Sequence, residues 1–419
     1  MVKSRERLHA LNKVLENCKT APFYHHRIPD RPLKSIKEIK QLPLTTKKEL
    51  RGASPFGLVS VPRKELYQYH ESFGTTGKPV SVWWTMDDFM NSFRVITRCG
   101  INFSKDDVVL IRFPYALSSA AHMVHAAAQW QGACVLPASS RSTVSPFPRV
   151  VNMLQRLEVT VLACLPLQAL LLAETAEMLG FVPGRDFPKL RAIFTAGETL
   201  TPGRRKTLEN IWGVPVFNHY GMTETGALAN DCKFGRLHFP DNFFVIELLK
   251  KDLETEVEPG ETGYLVVTTL KKRATPLVRF LTGDRAKFIA GECPCGESFH
   301  LEVRGRKEDC IAVGGRFFDL WDLEDIVSCL PFGHFWVAGP GPRGLSFVVE
   351  EERPGDGVNP DIIRALEKKY NIGFNIEIVT QGTLYDRSEL LAVGSVGRPR
   401  YIYSGKEIAE RAYLKSPKI

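Results

Sequence analysis

A short loop around Thr75 contains the residue types that bind phosphate groups. It is Ser72-Phe-Gly-Thr-Thr-Gly-Lys-Pro79, and the alternating β-branched and aromatic residues after it predict a strand. Glycines let backbone N–H groups approach phosphate oxygens, threonine hydroxyls add donors, and lysine supplies a cation. The loop is not a Walker A motif, because Pro79 stands where that motif has serine or threonine. Taken alone, it is either a polyphosphate site or a solvated turn. The candidate ligands are Ser72, Gly74, Thr75, Thr76 and Lys78.

Four further polar motifs follow at long intervals. They are Phe194-Thr-Ala-Gly-Glu198, Asn218-His-Tyr-Gly-Met-Thr-Glu-Thr225, Val278-Arg-Phe-Leu-Thr-Gly-Asp284 and Arg304-Gly-Arg-Lys-Glu-Asp309. Gly197 and Glu198 come directly after an apolar run that predicts a strand, and Asn218 ends another such run. Because open α/β sheets bind ligands at the carboxyl ends of their strands, we expect these residues to line a site. On its own, an aspartate in a turn such as Asp284 is ordinarily a turn or cap residue.

The order and spacing of these motifs resemble the adenylate-forming superfamily of acyl-CoA synthetases, peptide-synthetase adenylation domains and luciferases. The branch that the chain most resembles is the phenylacetate–CoA ligase family, through three further segments. These are Gly263-Tyr-Leu-Val-Val-Thr-Thr-Leu270, Ala274-Thr-Pro-Leu-Val-Arg279 and Cys293-Pro-Cys-Gly296. The resemblance implies an ATP-dependent ligase that activates a small, aromatic carboxylic acid as its acyl-AMP. The acyl group then passes to CoA or to another acceptor.

The resemblance also implies roles for individual residues. Adenylation is an in-line displacement at the α-phosphorus of ATP, so the enzyme must hold the acid and stabilise the leaving pyrophosphate. Thr75 and Lys78 suit the pyrophosphate end, Glu224 holds Mg²⁺ on the phosphates, and Thr223 contacts the α-phosphate. The residues implied for adenine and ribose are Gly197, Glu198, Asn218, His219, Tyr220, Asp284 and Arg306.

The acid pocket is expected between the segment Ser118-Ser-Ala-Ala-His-Met-Val-His125 and the strand that ends at Ala196. His122 and His125 are three residues apart and therefore share one face of a helix. Each histidine either faces the substrate or serves as a capping or packing residue. Small side chains leave room for a flat ring, and the candidates are Ser118, Ala196 and Gly221.

Three cysteines and a histidine form a second candidate site. Cys293 and Cys295 flank a proline before a glycine turn, and Cys232 and His238 lie close together in the preceding segment. This set has the ligand types of a tetrahedral structural zinc site, and relatives in the branch carry cysteines here. Free thiols in a reducing compartment are the alternative.

The motif near the C-terminus departs from the superfamily pattern. The superfamily has an adenylating lysine in a Gly-Lys-x-x-Arg motif, whereas this chain has Gly397-Arg-Pro-Arg-Tyr401. Arg398 keeps the charge, but a guanidinium is larger and forked, so the replacement is not conservative. Two alternatives to acyl transfer therefore stay open. One is a relative that forms amide or N–N bonds without CoA, and the other is a catalytically weak nucleotide-binding scaffold.

Length, composition and charge narrow the class of protein. The chain has 419 residues, 44% of them hydrophobic, which predicts two or three domains. No apolar run reaches the roughly 20 residues of a membrane span, and no signal peptide is visible. The nine cysteines are scattered and fit a reducing cytoplasm. The net charge of +8 is spread rather than striped, which argues against nucleic acid. We expect a monomer or homodimer.

The element pattern predicts the fold class. Apolar strands alternate with helical segments from residue 80 to 290, which indicates a parallel α/β sheet. We expect an N-terminal domain over residues 1–305, with a β-rich subdomain at about 243–305, and a small, mobile α+β lid over 306–419. Predicted helices include 4–20, 119–131, 147–157, 203–212, 320–330 and 360–370. Predicted strands include Val108–Arg112, Cys134–Leu136, Val159–Val161, Ala192–Phe194, Val214–Phe217, Leu345–Glu350 and Asn375–Val379.

Overall fold

A computed structural model describes most of the chain and divides it into two compact units. The described residues are 2–72, 78–140, 142–330, 334–353, 355, 357–385, 387 and 400–414. The first unit comprises residues 1–137, 194–197 and 217–303. The second unit comprises residues 138–193, 198–216 and 304–419. The continuous domains that the sequence predicts, 1–305 and 306–419, stay a prediction.

Helices and strands alternate along most of the chain. The helices are α1 Val2–Cys18, α2 Lys47–Ala53, α3 Met86–Ile96, α4 Ser119–Trp130, α5 Phe147–Arg156, α6 Pro166–Met178, α7 Pro183–Asp186, α8 Pro202–Trp212, α9 Leu320–Val327, α10 Pro360–Tyr370 and α11 Gly405–Ala409. The strands are β1 Thr45–Thr46, β2 Gln68–Glu71, β3 Ser81–Trp84, β4 Val108–Ile111, β5 Cys134–Pro137, β6 Val161–Cys164, β7 Ala192–Ala196, β8 Val216–Met222, β9 Gly226–Asp231, β10 Leu237–His238, β11 Phe244–Leu249, β12 Thr262–Thr269, β13 Phe280–Ala290, β14 Phe299–Arg306, β15 Ile311–Val313, β16 Arg316–Phe318, β17 Trp336–Gly341, β18 Gly344–Glu350 and β19 Gly373–Val379.

Two kinds of strand pairing build the first unit. Strands β4 and β5 are parallel, with Val108 opposite Cys134, and α4 connects them as expected for a crossover unit. Strand β9 pairs antiparallel with both β8 and β10. A separate sheet has the order β1-β13-β12-β11, with β14 also paired to β13. This sheet confirms the predicted β-rich segment.

Helix starts in the first unit follow sequence signals. Helix α2 begins with a capping box in which Thr46 accepts from the Glu49 amide and the Glu49 carboxylate accepts from the Thr46 amide. Helix α3 begins with the same arrangement between Thr85 and Asp88. These boxes satisfy amides at the first turn, and so they define where each helix enters the unit.

The second unit combines helices with a small sheet. Strand β6 is fully buried, and Pro166 begins α6 at a position where its missing N–H costs no hydrogen bond. In the sheet β17-β18-β19, the first pair is antiparallel and the second is parallel. The Arg204 Nε lies 3.2 Å from Glu324 Oε1 in a buried ion pair between α8 and α9. Core side chains beneath the sheet include Leu323, Ile326, Trp336, Phe347 and Phe374.

Some predicted boundaries are wrong by a few residues. The strand predicted at Val159–Val161 runs over Val161–Cys164, and that predicted at Val214–Phe217 continues to Met222. The segment Pro340–Gly344, which the sequence indicates as a turn, is partly strand, because Gly341 pairs with Gly344 and shortens the turn. None of the helices that the structure describes has the length and apolar character needed to cross a membrane.

Candidate functional site

The predicted phosphate loop connects two paired strands. Strand β2 pairs antiparallel with β3, and Glu71 lies opposite Ser81. Ser72 closes the base of the loop, since its hydroxyl accepts a hydrogen bond from the Val80 amide at 2.9 Å. Lys78 is exposed beside this base. Gly74, Thr75 and Thr76 lie outside the described residues, so their contacts with ATP stay a prediction.

Two of the predicted nucleotide motifs meet in the first unit. The hydroxyl of Tyr220 on β8 donates to the Asp284 carboxylate on β13 at 2.6 Å, across 64 residues of sequence. The Asp284 amide in turn donates to the Thr282 hydroxyl at 3.1 Å. A carboxylate held in this way keeps one orientation, which suits it to accept two vicinal hydroxyl groups.

Asn218 also lies on β8, two residues before Tyr220. Its amide donates to the Asp231 carboxylate at 2.6 Å. Its side-chain oxygen is buried and accepts no hydrogen bond from any described residue. The next residue, His219, instead contacts Asn230 at 2.8 Å, and burial lowers its pKa to about 4. His219 is therefore a neutral packing residue in this structure, and its predicted contact with the nucleotide stays a prediction.

The carboxylate of Glu224 is buried beside a lysine. Lys47 Nζ lies 2.9 Å from Glu224 Oε1, and the glutamate side chain is only 3% exposed. Among the described residues, that oxygen has no hydrogen-bond partner of good geometry. The buried carboxylate is therefore ion-paired with Lys47, and a carboxylate is also a ligand type that divalent cations prefer. Thr223 precedes it in the same turn and is partly exposed.

A second lysine holds the backbone of the same turn. Lys272 Nζ donates to the Glu224 carbonyl, and its ammonium lies over the Trp84 ring at 5.2 Å from the centroid. Burial lowers the pKa of Lys272 to about 8, and Asp88 and Glu224 oppose that shift. Glu224 is thus fixed by one cation at its carboxylate and another at its carbonyl.

The predicted histidines both contact Tyr115 in the first unit. His122 Nε2 lies 2.9 Å from the Tyr115 carbonyl, and His125 Nδ1 lies 3.1 Å from its hydroxyl. His70 packs against the His122 ring, and burial followed by the charge of His122 lowers the pKa of His70 to about 4. Burial raises the pKa of Tyr115 to about 12. The histidines thus share a face, as the sequence predicts, and both contact Tyr115.

The small residues predicted for the acid pocket have different surroundings. Ser118 precedes α4 without capping it through its side chain, and Ala196 is buried at the end of β7. Gly197 follows with a φ of +83°, which favours glycine. A side chain at Gly221 would approach the Gly226 carbonyl to 2.6 Å. The β8–β9 hairpin therefore requires glycine at this position, whatever the ligand.

Three of the predicted residues belong to the second unit or lie outside the description. Glu198 Oε2 accepts a hydrogen bond from the Leu167 amide at 3.2 Å. The Arg306 carbonyl accepts from the Asp309 amide at 3.2 Å. Arg398 lies outside the described residues. Because Tyr220, Asp284 and Glu224 all belong to the first unit, that unit contains the core of the candidate site.

Known proteins share both the sequence and the fold. A family model described as AMP-binding enzyme matches residues 72–270. The phenylacetate–coenzyme A ligase of Thermus thermophilus is 29% identical over 347 residues, covering 78% of this chain and 76% of that enzyme. The enzyme of the same name from Pseudomonas putida is 28% identical over 326 residues, covering 74% and 72%. Residues 72–270 of this chain thus match the AMP-binding enzymes, and the chain is an AMP-forming acid ligase like these relatives.

Solved structures agree with this assignment at the level of the fold. A 2-hydroxyisobutyryl-CoA ligase in its postadenylation state, in complex with 2-HIB-AMP, superposes with a TM-score of 0.84 at 20% identity, covering 99% of this chain and 92% of that one. ATP-bound MatB from Rhodopseudomonas palustris superposes with a TM-score of 0.59 at 15% identity, covering 86% and 70%. The predicted α/β class is confirmed, and this adenylate-forming enzyme is an AMP-forming, ATP-dependent acid ligase.

The predicted metal ligands of this adenylate-forming enzyme come together. The ligand atoms of all four residues lie within 4.8 Å of one another. Cys232 Sγ is 3.7 Å from Cys293 Sγ, and Cys295 Sγ is 3.5 Å from His238 Nε2. The sequence therefore predicted their proximity correctly, although they come from two separate hairpins.

Several residues of the site were not found from the sequence. Lys47, Lys272, Tyr115 and Asp231 contact predicted residues, but each is distant from them or inconspicuous in the chain. One signal was present for Lys47. It is the first residue of α2, where the helix dipole disfavours a cation, so a lysine there needs a partner. Glu224 is that partner.

Proposed function

We propose that this enzyme converts an aromatic carboxylic acid to its acyl-AMP and then to its CoA thioester. The observation that carries the proposal is the hydrogen bond between Tyr220 and Asp284, which joins two separate nucleotide motifs in one unit. The two phenylacetate–coenzyme A ligases support the choice of acid and acceptor. The CoA ligases among the solved structures support the same acceptor.

The nucleotide would bind across β8 and β13. The buried Asn218 oxygen has no described hydrogen-bond partner and suits the exocyclic amine of adenine. Asp284, oriented by Tyr220, accepts hydrogen bonds from the ribose hydroxyls. The loop from Ser72 to Lys78 receives the pyrophosphate end, where its cation and amides offset the phosphate charge. Thr223 contacts the α-phosphate.

Glu224 fits a divalent cation on the phosphates. Its carboxylate is buried, one oxygen lacks a hydrogen bond from the described residues, and the ammonium of Lys47 already lies against that oxygen. Mg²⁺ bound there would neutralise phosphate charge in the displacement. Lys272 keeps the turn of Glu224 in place through its carbonyl.

The proposed reaction has two steps. In the first, a carboxylate oxygen of the acid attacks the α-phosphorus, an O–P bond forms, and pyrophosphate leaves with the electrons of the broken P–O bond. In the second, the thiolate of CoA attacks the acyl carbonyl, a C–S bond forms, and AMP leaves. The rings of Tyr115, His122 and His125 pack edge to face and would provide a polarisable surface for an aryl group.

Product analysis tests this function. We expect AMP and pyrophosphate when the enzyme turns over ATP with phenylacetate or a related aryl acid, because the proposed first step is a displacement at the α-phosphorus. Turnover should accelerate when CoA is added and should yield an acyl-CoA by chromatography and mass spectrometry. Straight-chain acids of equal carbon number are the control for the aromatic preference. A dominant ADP peak, or AMP formation that CoA leaves unchanged with no thioester, contradicts the proposal.

Arg398 supplies a separate prediction about the first step. Its guanidinium replaces the adenylating lysine of the superfamily, and such a charge at a developing oxyanion contributes about 10-fold or more to the rate. We expect Arg398→Ala to lower acid-dependent ATP–pyrophosphate exchange by about that factor, and Arg398→Lys to keep or raise it.

Arg400 offers a matched control for this prediction. Its guanidinium is engaged locally by Glu407, at 2.8 Å, and by the Tyr403 ring. We expect Arg400→Ala to leave the exchange rate unchanged. If Arg398→Ala also leaves it unchanged, the first step takes its cation from elsewhere, and Lys78 is the first residue to replace next.

A further inference from the structure

We propose that Cys232, His238, Cys293 and Cys295 bind one structural zinc ion that joins two hairpins of the first unit. The four ligand atoms lie within 4.8 Å of one another, although Cys232 comes from the β9–β10 connection, His238 from β10, and Cys293 and Cys295 from the β13–β14 connection. Two short loops that are separate in sequence thus present soft sulfur ligands and one imidazole to a single point. The metal site itself does not depend on the proposed function.

The two loops repeat the same backbone turn. In each, the amide of a glycine three residues after the cysteine donates to that cysteine's carbonyl, at 2.9 Å for Gly235 and 2.8 Å for Gly296. Both glycines have positive φ angles, +68° and +98°. In each, the cysteine amide donates to the carbonyl four residues later, at 2.9 Å and 2.7 Å. The two turns begin at Cys232 and Cys293.

The turns also offer N–H groups to the sulfur atoms. The Phe234 amide donates to Cys232 Sγ at 3.4 Å, and the Cys295 amide donates to Cys293 Sγ. The amide two residues after each cysteine therefore serves as the donor in both loops. Two copies of one sulfur-presenting turn, facing each other, are difficult to explain as scattered free thiols.

Two of the six distances between ligand atoms match the edges of a tetrahedron around zinc. With Zn–S bonds of about 2.3 Å and Zn–N bonds of about 2.0 Å, the tetrahedral edges are about 3.8 Å between sulfurs and about 3.5 Å between sulfur and nitrogen. The observed distances are 3.7 Å for Cys232 to Cys293 and 3.5 Å for Cys295 to His238. A disulfide requires about 2.05 Å between sulfurs, so the first pair is not bonded.

The histidine is oriented as a metal ligand. His238 Nδ1 lies 2.9 Å from the Phe299 carbonyl, so this nitrogen carries the proton and donates it. The proton-free Nε2 then faces Cys295. A backbone carbonyl that holds the second ring nitrogen is the usual support of a zinc-bound histidine. Three sulfurs and one nitrogen in a tetrahedron favour zinc over the harder cations.

The position of the cluster gives the metal a role in orienting the nucleotide residues. Asp231 directly precedes Cys232, and its carboxylate accepts from the Asn218 amide at 2.6 Å. The second turn follows β13, the strand of Asp284. Metal that joins the two turns therefore restrains β13, which contains Asp284, and β9, which pairs with the strand of Tyr220. This consequence rests on the proposed function, whereas metal binding does not.

Metal analysis of the whole protein, purified without chelators, tests the site. We expect about one zinc per chain, since four ligands complete one closed tetrahedral site. Cys232→Ser and His238→Ala should each lose most of the zinc, whereas Cys134→Ser, which changes an exposed free cysteine outside the cluster, should retain it. Removal of zinc from the intact wild type with a chelator should lower its melting temperature, and re-addition should restore it.

A spectroscopic measurement keeps the test decisive if the variants do not fold. Cobalt exchanged into the wild type should show the ligand-field and thiolate charge-transfer bands of tetrahedral sulfur coordination. The absence of bound zinc together with no uptake of zinc or cobalt overturns the site, as does a native Cys232–Cys293 disulfide found by mass spectrometry. Zinc that is bound but whose removal leaves ATP affinity unchanged overturns only the orienting role.

Discussion

Replacing Asp284 with alanine is expected to weaken ATP binding by about 100-fold, as measured by isothermal titration. In the structure the Asp284 carboxylate receives the Tyr220 hydroxyl at 2.6 Å, which holds it in one orientation. Two hydrogen bonds from ribose hydroxyls to a charged carboxylate contribute about 1.5 kcal/mol each or more, and a 100-fold change corresponds to about 2.7 kcal/mol. Alanine removes both acceptors at once.

Tyr220→Phe is the control that separates orientation from binding. It removes the hydroxyl that donates to Asp284 but keeps the ring, so the carboxylate stays present and becomes free to rotate. We expect a loss of a few fold in ATP affinity, well below that of Asp284→Ala. Equal ATP affinity in the wild type and Asp284→Ala would remove Asp284 from the ribose site.

Local signals explain why much of the fold was predictable. The run from Val159 to Leu172 is mostly apolar, yet Pro166 divides it, and the structure has a buried strand before that proline and a helix beginning at it. Proline is tolerated in the first turn of a helix but not in the interior of a strand. Pro166 therefore ends the strand and begins the helix. The boundaries at Val161 and Met222 were missed because strand ends depend on pairing partners that are distant in sequence.

The candidate site was predictable where a motif contains its own chemistry. The segment Cys293-Pro-Cys-Gly296 predicts a turn that presents cysteine sulfurs. Its partner Cys232 was found because cysteine has few roles in such loops. Lys47 and Asp231 were missed for the opposite reason. Each is a common surface residue type, and only tertiary folding brings it to Glu224 or Asn218. The capping box at Thr46 can be recognised in the sequence and predicts the helix start. Nothing in the sequence identifies the partner of Lys47.

Glu224→Gln is expected to lower the rate of acid-dependent pyrophosphate release by about 100-fold or more at a fixed Mg²⁺ concentration. Glutamine has nearly the same shape, so the change removes charge rather than packing. The native carboxylate is 3% exposed and faces Lys47 Nζ at 2.9 Å. A neutral amide cannot offset Lys47 or a divalent cation, and the partly exposed ammonium of Lys47 loses its counter-charge. Higher Mg²⁺ concentrations should recover part of the rate, because a weakened ligand set is still filled by mass action.

Glu256→Gln provides the matched control for this change. Glu256 also pairs with a lysine in the first unit, Lys40 at 3.0 Å, but its side chain is 46% exposed. Because an exposed pair is screened by solvent, its loss should change neither the rate nor the Mg²⁺ dependence. Thermal unfolding of both variants distinguishes a lost ligand from a lost fold. If Glu224→Gln has the wild-type rate and Mg²⁺ dependence, the buried carboxylate is only the counter-ion of Lys47, and the cation on the phosphates must have other ligands.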